Sequence, residues 1–306
     1  MTDNARSTGT SAPRKTGTGR LRRTAASGAG ALLARLALRA VTAQPAAAAL
    51  RRTNFQGREV TLAAGPALAA GAALGGAFGA PSRQAAAATL VAGLGAGAVG
   101  LYDDVVGARP DQRTAKGFAG HLGALREGRV TSGLVKIVGV GAAGLAAAAL
   151  LAADNSGKAG RRRARQGRLT RTTDVLLGAG VVAGTANLLN LLDLRPGRAL
   201  KTGLLLGGPL SRGPHGGVAA GAVGACSGLL RDDLDERVML GDSGANALGA
   251  QLGVALAART GPAGRAGLLA VLVALTAASE KVSFTQVIQG TPVLRELDAL
   301  GRRPTA

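Results

Sequence analysis

Tryptophan is absent from this chain of 306 residues, aromatic residues make up only 2%, and there are just one cysteine and two histidines. A lone cysteine, Cys226, excludes an internal disulfide. The formal net charge is +20. With no aromatics interleaved among the basic residues, nothing offers a platform for stacked bases, so this charge does not point to nucleic acid. The same shortage removes the aromatic belt common at membrane interfaces. Carboxylates are scarce too, with 17 Asp and Glu against 37 Lys and Arg. An acidic residue at the edge of an apolar run is costly unless a cation or metal shares its site, so each such residue is a candidate for function.

What is present is small and apolar. Hydrophobic residues make up 47%, mostly Ala, Leu and Val, and glycine numbers 49. That composition suits a membrane bundle in which close helix approach replaces bulky packing, with arginines placed to meet anionic lipid. Residues 1–23 are polar and basic and read as a disordered tail. Residues 24–50 are largely apolar but hold Arg35, Arg39 and Pro45, which leaves a poor span, an interfacial helix or a retained signal-like segment as readings. Apolar runs follow at 60–80, 85–102, 133–153 and 173–192. Another covers 199–230, broken at Arg212–Gly216, and the last two lie near 244–258 and 266–278. The expected fold is an all-α polytopic transmembrane bundle of about 8–9 spans. It should occupy residues 24–283, with a cytoplasmic tail at 284–306 that includes an amphipathic stretch near Val293–Leu300. Gly95-Ala-Gly97-Ala-Val-Gly100 matches a dinucleotide fingerprint, but it sits inside an uncharged run and is read as helix contact. Lys136, near the start of its run, is placed where it is able to snorkel.

Three polar clusters interrupt the apolar pattern: Asp103-Asp104, Asn187/Asn190/Asp193, and Asp242-Ser243 with Asn246. If 199–230 folds back at Pro214, an even number of crossings separates them, and all three face one compartment. Basic residues are more numerous in the loops on that side, which favours a cytoplasmic face, although the basic stretch 154–172 falls opposite. Carboxylates converging beside Lys and Arg suit Mg²⁺-assisted phosphoryl chemistry, because Mg²⁺ takes one or two carboxylates and completes its shell with water and substrate phosphates. The plainer reading is that such residues are solvated or cap helices, as Asp242-Ser243 before Gly-Ala-Asn would.

Taken as a set, Asp103-Asp104 after a span, Asn187-x-x-Asn190-x-x-Asp193 at the end of another, and Gly241-Asp242-Ser243-Gly244-Ala245 give the chain a family resemblance. It resembles the polyprenyl-phosphate N-acetylhexosamine-1-phosphate transferases of glycosyltransferase family 4, which include phospho-N-acetylmuramoyl-pentapeptide transferase. The match runs from about Asn54 to Ala278. The resemblance implies an Mg²⁺-dependent membrane enzyme that moves a sugar-1-phosphate from a UDP-sugar to polyprenyl phosphate and releases UMP, in cell-envelope synthesis. It places Asp242 on the metal-binding aspartate, Asp103 and Asp104 on the acidic pair, and Asn187, Asn190 and Asp193 on active-site polar positions. One of the acidic pair is a candidate base for the lipid phosphate. Lys116 becomes a diphosphate contact, while Arg195, Arg198 and Lys201 are candidates for lipid phosphate. The expected setting is the cell membrane among its lipids, with no nucleic acid and a possible homodimer.

Three departures accompany the resemblance. Pro196 stands where the second motif usually has another aspartate, no histidine cluster occurs in Glu280–Pro292, and no apolar span follows it. His121 is a candidate substitute for those histidines. The alternative expectation is a catalytically silent relative that binds lipid or acts as a scaffold. An ion-coupled transporter fits less well, since the carboxylates lie at helix ends and no internal repeat is evident.

Overall fold

Runs of Ala, Leu, Val and Gly with no strand-like alternation form helices here, and in hydrocarbon a helix satisfies its own backbone. The computed structural model describes residues 16–109, 117–154 and 167–303. It contains α1 (Thr16–Thr42), α2 (Ala64–Phe78), α3 (Arg83–Val106), α4 (Gly117–Arg126), α5 (Ser132–Ala152) and α6 (Arg168–Leu192). These are followed by α7 (Arg198–Leu210), α8 (Gly216–Leu234), α9 (Gly241–Arg259), α10 (Pro262–Ser279), α11 (Phe284–Gly290) and α12 (Pro292–Ala299). A short hairpin pairs β1 (Arg51–Thr53) antiparallel with β2 (Glu59–Thr61). Local signals start several helices: Ser82 accepts a hydrogen bond from the Ala85 N–H at 3.1 Å, Thr131 accepts from Leu134 at 3.2 Å, and Pro262 and Pro292 open α10 and α12.

The all-α bundle is as expected. Four helices, α3, α5, α6 and α10, are long and apolar enough to cross a membrane. The run 199–230 breaks where Pro214 lies, into α7 and α8, which pack on each other. Helix α1 begins at Thr16, inside the stretch expected to be a tail. Residues 1–15 lie outside those described, as does the basic run Arg161–Arg163.

Helix α9 is the axis of the bundle. Nearly every residue from Ser243 to Ala257 is buried, and α2, α3, α6 and α8 pack around it. A helix that is apolar or small on every side belongs in an interior. Its glycines set the spacing: a Cβ on Gly249 would come within 2.5 Å of Ala186 Cα, and one on Gly253 within 2.6 Å of Val182 Cα, both on α6. By contrast, α10 buries only Arg265 and Leu272 and packs mainly along α6. At the end of the bundle where α10 begins, Arg265 pairs with Asp174 at 2.6 Å, and each side chain is only 4% exposed.

Gly249→Val should push α6 off α9. We expect a loss of about 1–3 kcal/mol from overpacking, measured as a lower unfolding midpoint in detergent.

Candidate active site at one end of the bundle

The last turn of α3 carries Asp103 and Asp104 to the end of the bundle where α9 begins. Helix α9 has no cap of its own, because Leu240 occupies its N-cap position. Asp104 supplies one from α3, accepting the backbone N–H of Asp242 on Oδ1 at 3.0 Å and of Ser243 on Oδ2 at 2.9 Å. A carboxylate at a helix N-terminus satisfies orphan donors and meets the positive end of the helix dipole. The approach needs small residues: Gly241 has φ 59°, and a Cβ on Gly100 would lie 2.6 Å from Ser243 N. The Ser243 hydroxyl donates to Gly97 O at 2.9 Å. Capping by Asp242-Ser243 was the plain reading of that pair, whereas here the capping carboxylate belongs to Asp104.

Asp242 is thereby free to face Asp103, and one cation lies between them. Lys136 Nζ is 2.6 Å from Asp103 Oδ2 and 2.6 Å from Asp242 Oδ2. The side chains of Asp103, Lys136 and Asp242 are 12%, 22% and 27% exposed, so the group opens to one side. Lys136 does not snorkel. Long side chains on a helix lie back over the preceding turn, and at this position in α5 that turn faces the carboxylates rather than lipid.

Asp193 follows α6 at the same end. Burial pushes its carboxyl well above the usual carboxylate range, and so do Asp233, Asp242 and Asp104 nearby. A hydrogen bond from the Gly241 backbone works against that rise. Asn190 is half-buried one turn earlier, and its carbonyl accepts from Asp193 N at 3.2 Å. Asn187 turns elsewhere, donating to Thr276 Oγ1 on α10 at 3.0 Å. Asn246 donates to Asp242 O at 2.7 Å.

The hairpin closes over this end. Arg52 donates through Nη2 to the Asp104 carbonyl and through Nη1 to Ala49 O at 2.9 Å. Glu236 holds the hairpin, accepting from Asn54 Nδ2 at 2.5 Å and pairing with Arg58 at 3.2 Å. Thr61 bridges in parallel to Val238, with Met239 N donating to Thr61 O at 2.8 Å. The strand-like stretch before Gly241 is thus fixed to the hairpin. Arg195 stacks over the Phe55 ring, 3.8 Å from its centroid.

Arg198 pairs with none of the carboxylates of this site. It is buried and donates through Nε and Nη2 to Asp298 of α12 at 2.7 and 3.0 Å, and through Nη1 to Thr285 at 2.9 Å. Arg302 donates to the same carboxylate at 2.6 Å. Lys116 lies outside the described residues, and of His121 only its place in α4 is described. Sequence reasoning missed Lys136 and Arg52 as members of the site. No spacing signal marks either, since both meet the carboxylates only through tertiary contact.

Hard carboxylate oxygens from Asp103 and Asp242, partly open and facing one another, are donors of the kind Mg²⁺ takes. The residues therefore fit a divalent ion in kind, with the Lys136 ammonium standing between them. Among the described residues no three His, Cys, Asp or Glu side chains are gathered as a metal centre. Compared with known proteins, the chain matches no family model and no curated sequence.

Two outcomes follow from this geometry. Asp104→Ala should cost about 1–2 kcal/mol as a lost cap, with part of the loss recovered by Asp104→Asn, in thermal unfolding of the detergent-solubilised protein. Burial of Asp298 opposes its ionisation, but Arg198 and Arg302 outweigh it and hold the carboxyl below the usual range. A depressed acid stabilises the folded form above its unfolded value, and that contribution is lost as pH falls through the folded value. Hydrogen exchange in 284–303 should therefore stay protected at neutral and mildly acidic pH and rise only below about pH 4.

Proposed function

We propose that the chain is a membrane phosphoglycosyl transferase. It moves a sugar-1-phosphate from a UDP-N-acetylhexosamine to polyprenyl phosphate at the cytoplasmic face of the cell membrane. The observation that carries this reading is the meeting of Asp103, Asp104, Asp193 and Asp242 at one end of the bundle. These are the four carboxylates among the motif residues on which the family resemblance rests. In this reading the shorter α2 and α7, and the less apolar α8 and α9, complete the crossings begun by the four membrane-length helices.

In the reaction an oxygen of the lipid phosphate attacks the β-phosphorus of the UDP-sugar. The bond from that phosphorus to the bridging oxygen breaks, and UMP departs with the electron pair. Asp104 is committed to α9 through both oxygens, so within the acidic pair Asp103 is the candidate base, with Asp193 alongside. Asp242 would hold Mg²⁺, which when bound neutralises diphosphate charge. Lys136 is the cation nearest these carboxylates, placed to exchange them for a phosphate oxygen. Arg52 adds positive charge at the rim and ties the hairpin to the α3 end.

A second reading, the silent relative, is favoured by one specific observation. Lys136 already compensates Asp103 and Asp242, forming an ion network that is stable without substrate. The deciding experiment is UMP release by purified protein in detergent with Mg²⁺, a polyprenyl phosphate and a panel of UDP-N-acetylhexosamines. Release that requires both lipid phosphate and Mg²⁺, and that Asp242→Ala abolishes while leaving folding intact, is the expected result. No release from folded protein that still binds polyprenyl phosphate would transfer the assignment to the silent relative.

A further inference from the structure

Beneath the C-terminal helices lies a cavity of about 440 Å³, bounded by α7, the end of α8, and α11–α12. Its walls are Leu204, Leu205, Leu230, Leu234, Ile288 and Leu297, and its polar end is Lys201 and Thr202 beside the Arg198–Asp298 pair. That volume is within the range of ordinary ligand sites. Leu205 is 66% exposed on the open flank of α7, the side a bilayer would meet.

The charges at the polar end do not balance. Arg198, Lys201 and Arg302 gather around Asp298, and the nearest other carboxylate, Asp233, accepts a hydrogen bond from the Gly197 N–H at 2.6 Å. Three cations thus face two carboxylates. Lys201 Nζ donates to the carbonyls of Leu297 at 3.1 Å and Asp298 at 2.7 Å. An ammonium has three N–H donors, so one remains. Among the described residues no carboxylate lies within ion-pair distance of Lys201. A leucine-lined slot with one surplus positive charge at its head complements an amphiphile with one apolar chain to insert and an anionic headgroup.

We infer that this cavity is a binding site for an acidic phospholipid of the surrounding bilayer, with an acyl chain among the leucines and the headgroup phosphate on Lys201. None of Asp103, Asp104, Asp193 and Asp242 lines the cavity, which adjoins that group through Asp233, and the inference stands whether or not the group transfers sugar phosphates. The occupied cavity would fill the gap under α11–α12 and hold them against α7.

The test is native mass spectrometry of the full chain in detergent, offered phosphatidylglycerol or phosphatidylcholine with matched acyl chains. Wild type should retain phosphatidylglycerol about five-fold better, the contribution of one lysine near an anionic surface. Lys201→Gln should remove that preference, and Lys201→Arg should restore it. Leu205→Trp, which crowds the slot from its open flank, should lower retention of both lipids. Equal retention of the two lipids by wild type would overturn the inference, as would an unchanged preference in Lys201→Gln. Displacement by inorganic phosphate, with Leu205→Trp silent, would replace it with a plain anion site. Displacement by equimolar polyprenyl phosphate would make the cavity part of the acceptor site and sink the phospholipid assignment.

Discussion

One carboxylate, Asp104, fixes the end of the bundle on which the proposed function depends. Helix α9 is buried over most of its length, and its first N–H groups have no partner within the helix. Leu240 cannot cap it, and Asp104 reaches across from α3 to do so with both oxygens. Because that role is filled from another helix, Asp242 points away from its own N-terminus and toward Asp103. The glycines at 100 and 241 are the steric condition for this arrangement, the first by close approach and the second by a left-handed backbone.

Crowding carboxylates at one end requires cations from elsewhere in the fold. Lys136 enters from α5 and Arg52 from the hairpin, while Asp193 is left in an environment that disfavours its charge. The hairpin is held in turn by Glu236, a buried acid in a left-handed backbone conformation that binds Asn54 and Arg58. Hairpin, α3, α5 and α9 therefore form one connected polar unit. The Arg265–Asp174 pair is a separate anchor joining α10 to α6.

The C-terminal segment is tied down differently. Asp298 is surrounded by Arg198 and Arg302, and Lys201 holds the end of α12 by its carbonyls. These contacts place two short helices over the flank of α7 and α8 without a continuous apolar interface, leaving a cavity between them. Arg198 was a candidate lipid-phosphate contact in the sequence, and its partner is a carboxylate of the chain itself.

Composition and run lengths alone determined that this is an all-α chain with helices of membrane-crossing length, because small apolar residues in uncharged runs permit little else. Sequence also separated Asp103, Asp104, Asp193 and Asp242 from the other acids, since carboxylates at the ends of such runs are costly and few. Tertiary structure decided what each one does. Nothing in the spacing distinguishes Asp104 as a cap from Asp103 as half of an ion pair, because the difference lies in where α9 begins relative to the last turn of α3. Lys136 looked like a snorkelling residue for the same reason: a lysine near a helix start is identical in sequence whether its neighbour is lipid or two carboxylates. Long-range polar pairing depends on which helix ends meet, and that is set by glycine contacts spread over the whole bundle.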